Sequence, residues 1–372
     1  MSKSSSSRRS RGSRSSLLDK QVTGTTTLTL IGEEVIYVVT DERSSTEPPP
    51  YMILNDNASK TYAISTNVLA TIAGNPDLCS TMLAHVKATV SQELVSDQLD
   101  SNNVVHIAAN YVHECVTVWE RDNPNMHFPS ATQIVGWCNG EPSVYGIQCA
   151  NPPQVTHEHG SGFVHGSGEK SVQDYYKKED PMPYKRGRPR RSDIELAQIG
   201  KRAVVFSALN ERYTGGRVCS VEVRPDMIHE SGSEEILKVL HDDYDYFKTY
   251  LSHFLFCLYR KSDFEYTIDT EAMLSQVIHT RFTSGIQRSH VIQIKEKYFI
   301  RILQFPDGEV AKEEFQAVKS EWKQQLGYGH TQDVDVHPHI RSLPWIELHQ
   351  LQGAPLVFAM ATKKYISLFL DL

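Results

Sequence analysis

Gly24-Thr25-Thr26-Thr27-Leu28 is the stretch that decides the fold, because three residues of complementary chemistry follow it along the chain. Asp41 comes just after a continuous apolar run, and Lys60 and Gly74 follow in that order. A threonine hydroxyl is a weak nucleophile and a free α-amine titrates near neutral pH, so an N-terminal threonine joins nucleophile and base in one residue. The pattern therefore predicts a hydrolase whose nucleophile, Thr25, becomes the first residue when the Gly24–Thr25 bond is cut.

The same residues resemble the signature of 20S proteasome beta subunits, and the Gly-Thr-Thr-Thr-Leu stretch is most similar to the chymotrypsin-like fifth beta type. The resemblance runs from about Gly24 to about Tyr244 and includes three further segments: Ile134-Val135-Gly136-Trp137, Gly166-Ser167-Gly168 and Thr214-Gly215-Gly216. It implies an α+β fold, the four-layer αββα sandwich of two antiparallel sheets that N-terminal nucleophile hydrolases share. It also implies assembly with other proteasome alpha and beta subunits in stacked rings, with unfolded polypeptides as substrates.

The resemblance assigns a role to each candidate catalytic residue. Thr25 is the nucleophile with its amine as the base, and Asp41 pairs with Lys60 beneath it. The charge of Lys60 lowers the basicity of the neighbouring amine, which keeps part of that amine neutral at working pH. The Gly74 N–H is the oxyanion donor, at a position where a side chain would obstruct the substrate, and Ser167 supports the nucleophile.

The same comparison marks a set of substrate-binding positions, which are Ser44, Ser45, Ala58, Ile72, Gly74 and Pro76. No acidic or basic side chain is among the three that map to the first specificity pocket, namely Ser44, Ala58 and Ile72. The resemblance therefore predicts cleavage after apolar residues. It implies no metal and no organic cofactor.

Three features depart from the family pattern and leave the catalytic status open. Glu211 stands where the family has aspartate, and its additional methylene is expected to displace the hydrogen bonds around the nucleophile, so that Glu211→Asp would raise activity. Residues 48–50 are prolines in an insertion, and Pro76 removes a backbone donor on the substrate-facing wall. The alternatives are an active threonine endopeptidase and a catalytically silent structural paralogue.

Composition sets the broad class. The chain has 372 residues, of which 40% are hydrophobic, so it can bury a sizeable core, and its net charge of −7 argues against general nucleic-acid binding. Its six cysteines form no C-x-x-C pair, which favours reduced thiols in the cytoplasm and nucleus. No apolar run reaches the length of a membrane-spanning helix, so no membrane partner is expected.

The chain divides into three predicted regions. Residues 1–24 begin with a serine- and arginine-rich stretch and are predicted to be a disordered propeptide, with a mitochondrial targeting signal as the alternative. Residues 25–245 form the hydrolase domain. Residues 246–372 form an extension of unknown function, which is predicted as a small α+β module and alternatively as a partner-binding module carried on the core.

Periodicity predicts several elements within these regions. In the hydrolase domain, apolar spacing indicates helices over residues 76–94 and 104–119, and Ser192 with Glu195 forms a capping box that opens a third helix. In the extension, alternation predicts a hairpin over residues 291–305. Phe315, Val318 and Trp322 on one face predict a helix over 310–326, and two strands are predicted within 356–370.

Two clusters lie outside the family pattern. Residues 185–191, Lys-Arg-Gly-Arg-Pro-Arg-Arg, fit a solvated loop, a nuclear localisation signal or a minor-groove contact. Four histidines, His330, His337, His339 and His349, are interpreted as surface-loop residues rather than zinc ligands, because no carboxylate or cysteine accompanies them at ligand spacing.

Overall fold

The structure is a computed structural model that describes residues 21–23, 25–47, 53–96, 100–124, 130–148, 154–158, 164–179, 192–260, 285–295, 298–325 and 357–371. Residues 1–20, the three prolines at 48–50, the basic segment 185–191 and the four clustered histidines lie outside the described residues. The interpretations of those segments remain predictions.

A five-stranded antiparallel sheet carries the stretch that decides the fold. Its order is β12-β2-β3-β13-β14, where β2 is Thr26–Ile31, β3 is Ile36–Asp41, β12 is Val164–Gly166, β13 is Arg217–Val223 and β14 is Ile228–Glu235. Every residue of β2 and β3 is buried. The continuous apolar run therefore has cover on both faces, as the sequence predicts.

A second sheet has six strands, and a small three-stranded sheet contacts one of them. The larger one runs in the order β11-β10-β9-β7-β6, with β8 pairing to β9; the bounds are β6 Thr61–Ala63, β7 Leu69–Thr71, β8 Ala73–Gly74, β9 Ser130–Cys138, β10 Glu141–Gln148 and β11 Gln154–Glu158. The small sheet has the order β1-β4-β5, with β1 at Gln21–Thr23, β4 at Ser44–Glu47 and β5 at Ile53–Asn55.

Two pairs of helices cover the two large sheets. The helices α1 (Pro76–Val95) and α2 (Val104–Asp122) pack on apolar side chains of the six-stranded sheet, whereas α3 (Glu169–Glu179) and α4 (Asp193–Asn210) pack on the five-stranded sheet. The three predicted helices of this region are confirmed, including the capping box at Ser192. A further apolar cluster joins side chains of both sheets, among them Val38, Val135 and Val221. The mixture of helices with antiparallel sheets is compatible with an α+β fold of the N-terminal nucleophile type.

The C-terminal part forms a further, four-stranded antiparallel sheet with its own helices. Its order is β16-β17-β15-β18, and the elements are α5 Ile236–Asp242, α6 Tyr244–Leu251, β15 Phe254–Arg260, β16 Arg288–Ile294, β17 Tyr298–Gln304, α7 Gly308–Gln325, β18 Val357–Met360 and α8 Lys363–Leu370. The predicted hairpin and the predicted helix that follows it are confirmed by β16, β17 and α7.

The second of the two strands predicted near the C-terminus is wrong. Residues 363–370 form the helix α8, whose buried side chains Tyr365, Ile366 and Phe369 recur at helical spacing. These side chains join an apolar cluster with α4, α5 and the C-terminal sheet. Burial against those elements outweighs the short-range alternation that suggested a strand.

The described part of the extension packs directly on the predicted hydrolase domain. One buried cluster contains Val39 of β3, Val205 of α4, Phe256 of β15 and Ile302 of β17. A second places Ile53 of β5 among side chains of the C-terminal sheet and α7. Among the described helices, none has both the length and the apolar character needed to cross a bilayer.

Candidate active site

Thr25 lies immediately before β2 and is almost completely buried. The Lys60 Nζ donates a hydrogen bond to Thr25 Oγ1 and another to the carbonyl oxygen of Arg43. A backbone hydrogen bond fixes the position of Lys60, because the Lys60 carbonyl oxygen accepts from the Ile72 N–H at 2.8 Å. The structure therefore brings the predicted nucleophile and the predicted lysine into direct contact.

Asp41, the last residue of β3, organises the backbone around this pair. Its Oδ1 accepts from the Thr26 N–H at 2.6 Å, and its Oδ2 accepts from the N–H groups of Arg43 and Gly215, both at 3.1 Å. Burial raises the pKa of Asp41, and the charge of Lys60 and the three N–H donors oppose that effect. The carboxylate thus holds three separate segments around the nucleophile.

Burial of Lys60 weakens its hold on a proton. Desolvation lowers the pKa of its amine, the charge of Asp41 opposes this, and the charge of Arg43 reinforces it. A lysine amine whose pKa is lowered toward neutrality can accept a proton from a hydroxyl that it contacts. The Lys60–Thr25 hydrogen bond therefore has the geometry and the electrostatics of a nucleophile with its base.

Ser167 contacts the backbone of Thr25. The Thr25 N–H donates to Ser167 Oγ at 3.3 Å, and the same hydroxyl lies 3.3 Å from the Thr25 carbonyl oxygen. Ser167 has a glycine on either side, Gly166 and Gly168, and the lack of side chains there leaves room for this approach. Gly166 has a φ of +105°, and a Cβ on it would lie 1.8 Å from the Thr25 carbonyl oxygen. Ser167 therefore lies against the backbone of the predicted nucleophile.

A cluster of buried hydroxyls behind Thr25 is a feature that sequence reasoning missed. Thr26 Oγ1 lies 2.7 Å from Thr214 Oγ1 and 3.4 Å from Ser207 Oγ, and the Ser207 and Thr214 hydroxyls are 3.2 Å apart. The sequence does contain an indication of this cluster, because Ser207 is a polar residue among the buried apolar residues of α4. The cluster connects the start of β2 to the turn that contains Glu211.

Glu211 folds back on its own turn and still reaches Ser167. It is the residue that ends α4, and its Oε2 accepts from Tyr213 N–H at 2.9 Å, from Thr214 N–H at 3.1 Å and from Thr214 Oγ1 at 3.3 Å. Its carboxylate also hydrogen-bonds to Ser167. The side chain takes up its additional length over the turn, so the bond to Ser167 is kept. The expected displacement of a bond to Thr25 remains a prediction. Burial raises the pKa of Glu211, while the hydrogen bonds from Tyr213, Ser167 and Thr214 oppose that effect.

These contacts reverse the effect that the sequence predicts for Glu211→Asp. An aspartate carboxylate falls short by about 1.5 Å, the length of one carbon–carbon bond, so it cannot cap the turn and reach Ser167 together. We expect Glu211→Asp to slow cleavage about tenfold, since misplacement of supporting groups by about 1 Å can cost up to a hundredfold. The measurement is the cleavage rate of Glu211→Asp beside Glu211→Gln, which keeps the length and removes the charge. A rise in rate with aspartate would show that the curled geometry is unproductive.

The remaining predicted positions lie in different surroundings. Gly74 ends β8 with φ of +114° and pairs with Ser130, and Pro76 is the first residue of α1, where the missing N–H costs no helical hydrogen bond. Ala58 is half-buried, and its N–H donates to Glu42 O at 2.8 Å. The side chain of Ile72 lies in the apolar cluster beneath α1 and α2. The substrate-binding roles of these residues remain predictions.

The segment upstream of Thr25 lies along the predicted substrate-binding strand. In β1, Val22 pairs with Thr46 and Thr23 pairs with Ser45, in antiparallel register. The other neighbour of β1 is β8, which contains Gly74. Residues 21–23 therefore occupy the place between β4 and β8 that an extended peptide bound to Ser44 and Ser45 would take.

Within the described residues, no group of three or more histidine, cysteine, aspartate or glutamate side chains is arranged to hold a metal ion. The family model described as Proteasome subunit matches residues 22–223, more than half of the chain. A search of curated proteins found no match. The matched range ends at the last residue of β13 and includes all the predicted catalytic residues, so α5 and the elements after it lie beyond it.

Proposed function

We propose a catalytic role for this chain. The chain belongs to the proteasome subunit family and is therefore a core subunit that assembles with other proteasome subunits. The role is that of a threonine-type endopeptidase, most like the fifth beta type, in stacked rings of alpha and beta subunits. We propose that its fold is the four-layer αββα sandwich and that it works in the cytoplasm and nucleus. Its substrates are unfolded polypeptides, cut preferentially after apolar residues.

The observation that carries this proposal is the hydrogen bond from the buried Lys60 amine to Thr25 Oγ1. In the first reaction the Thr25 hydroxyl gives its proton to Lys60 in its unprotonated form, which burial favours, and the Thr25 oxygen attacks the Gly24 carbonyl carbon. The Gly24–Thr25 bond breaks as an ester forms on Thr25, and the Thr25 nitrogen leaves as an amine that takes the proton back from Lys60. Water then hydrolyses the ester, which releases residues 1–24 as an acid and leaves a chain that begins at Thr25. Asp41 and Ser167 hold the nucleophile in place during both steps.

The second reaction repeats this chemistry on a peptide substrate. The freed α-amine, or water, takes the proton of the Thr25 hydroxyl, and the Gly74 N–H stabilises the oxyanion that develops on the substrate carbonyl. The pairing of β1 with β4 supports an extended substrate that lies on Ser44 and Ser45. An apolar preference follows from the absence of charge among Ser44, Ala58 and Ile72.

Self-cleavage is the direct test of this function. We expect the assembled chain to lose residues 1–24 and to begin at Thr25, because the hydroxyl and its base are already in contact. Intact-mass measurement of the assembled complex, with N-terminal sequencing, detects the new start. Thr25→Ala, which removes the hydroxyl, is the matched control and is expected to retain the upstream residues. An unaltered chain that stays uncut in the complex would reject the endopeptidase in favour of a structural subunit.

The second candidate function is that of a silent structural subunit, and the β1 strand is the observation that favours it. An upstream segment that stays paired with β4 would fill the groove in which a substrate has to bind. The two candidates differ in the mass measurement, since a structural subunit keeps residues 21–23 in place after assembly.

A further inference from the structure

Arg43 lies where the C-terminal sheet meets the candidate active site. Its backbone N–H donates to Asp41 Oδ2 at 3.1 Å, and its carbonyl oxygen accepts from Lys60 Nζ. Arg43 therefore contacts, through its backbone, both residues that hold the nucleophile. Its side chain is fully buried, so whatever fixes the guanidinium also restrains these backbone groups.

Asp56 supplies the carboxylate for this buried guanidinium. Arg43 Nε donates to Asp56 Oδ1 at 2.8 Å, and Arg43 Nη2 donates to Asp56 Oδ2 at 3.2 Å, which is the two-pronged arrangement that the two groups favour. Asp56 is itself only 7% exposed. Its Oδ2 also accepts from the Ile294 N–H at 2.9 Å, so one carboxylate joins Arg43 to β16.

The hairpin of β16 and β17 holds the opposite side of the guanidinium. Arg43 Nη1 donates to Val291 O in β16 and to Arg212 O at 3.2 Å. Gly216 N–H donates to Ile292 O at 3.3 Å, and a Cβ on the neighbouring Gly215 would lie 2.3 Å from Arg43 Cζ. The guanidinium is therefore confined between β16 and the glycine turn whose N–H binds Asp41.

We propose that Asp56 is a positioning residue that couples the β16–β17 hairpin to the hydrogen bond between Lys60 and Thr25. Asp56 contacts neither the nucleophile nor its base in the described hydrogen bonds, and acts through Arg43. The effect of this coupling on cleavage rests on the proposed function. The coupling also gives the part of the chain beyond the family match a role in the site.

The charges around Lys60 predict the sign of the effect. Those that act on it are Asp41, Glu42, Arg43 and Asp56. Burial lowers the pKa of Lys60 most, Arg43 lowers it further, and Asp56 raises it. Neutralising Asp56 leaves the Arg43 charge unbalanced, so the pKa of Lys60 falls and its titration moves to lower pH.

The test compares Asp56→Asn with Glu235→Gln in the full chain. Glu235 pairs with Lys295 at 3.2 Å and so also ties the hairpin to the rest of the molecule, but it is not among the charges named above as acting on Lys60. Carbon-13 labelled lysine allows the Lys60 titration to be followed by NMR, with the signal assigned by its loss in Lys60→Ala. We expect Asp56→Asn to move the midpoint to lower pH and to slow cleavage at Gly24–Thr25 about tenfold or more, and Glu235→Gln to change neither.

The outcomes separate this proposal from the proposed function. An unaltered chain that is never cleaved, but whose Lys60 titration still moves in Asp56→Asn, rejects the endopeptidase and supports the coupling. Cleavage and titration that are both unchanged in Asp56→Asn overturn the coupling and leave the endopeptidase intact. If Asp56→Asn does not fold, Asp56→Glu takes its place. Its retained charge is expected to keep the Lys60 midpoint while its length slows cleavage, and the proposal is overturned if the rate is unchanged.

Discussion

Lys60→Ala is expected to reduce cleavage at Gly24–Thr25, and hydrolysis of an apolar fluorogenic peptide, by about a hundredfold or more, the usual effect of removing a general base. The reason is local, because the amine that contacts Thr25 Oγ1 is gone, and burial lowers the pKa of that amine and so favours its unprotonated form. In peptide hydrolysis, the variant also lacks the charge that tunes the basicity of the freed α-amine. The measurement is the first-order rate of appearance of the cleaved chain by intact mass, followed by peptide hydrolysis in the assembled complex.

Two comparisons separate loss of the base from loss of the fold. Lys60→Met keeps most of the side-chain volume without the amine, and its rate is expected to match that of Lys60→Ala. Lys201→Ala removes a lysine of α4 that pairs with Glu234, and is expected to leave the rate unchanged. Assembly of all three variants shows that the chain is folded. Near-normal turnover in Lys60→Ala would mean that another group activates Thr25, and the Lys60–Thr25 contact would lose its assigned role.

Two of the candidate site residues, Thr25 and Asp41, could be predicted from short, strongly patterned segments. Thr25 precedes a strand of alternating hydroxyl and apolar residues, and Asp41 ends a continuous apolar run, so both positions follow from local sequence. Lys60 and Ser167 were placed by resemblance rather than by periodicity, and the structure brings both to Thr25. Local pattern and family resemblance together were sufficient for this part of the site.

The contacts around Arg43 and Glu211 were not predictable in the same way. The Arg43 side chain bonds to Val291, which is 248 positions further along the chain, and nothing in either local sequence indicates the pairing. The path of Glu211 depends on rotations of its side chain above a turn that the sequence marks only by two glycines. Residues 363–370 show a further limit of prediction from sequence. Whether a short apolar segment forms a strand or a helix depends on the elements against which it is buried.

Gly166→Ala is expected to abolish cleavage for two reasons: alanine is strained at the positive φ of Gly166, and there is no room for its Cβ. The φ of +105° at Gly166 is unfavourable for any residue with a Cβ, at a cost of about 1–3 kcal/mol. In addition, the new Cβ would lie 1.8 Å from the Thr25 carbonyl oxygen, whereas real Cβ atoms stay at least 3.0 Å away, so the backbone of the nucleophile has to move. A displacement of about 1 Å at a reacting group costs on the order of a hundredfold in rate, and Thr25 also loses its register with Ser167.

Comparison with Gly232→Ala separates the effect of the close Cβ contact from the effect of the positive φ. Gly232 has φ of +109°, nearly the same conformation, but a Cβ there would have no atom within 4 Å. Both variants are therefore expected to lose thermal stability through backbone strain, Gly166→Ala more so because of its close contact, while only Gly166→Ala loses cleavage. Thermal unfolding and the intact-mass cleavage rate, measured on both, give the comparison. Equal cleavage by the two alanine variants would show that the Thr25 carbonyl can move without cost, and that the close approach of β12 does not fix the nucleophile.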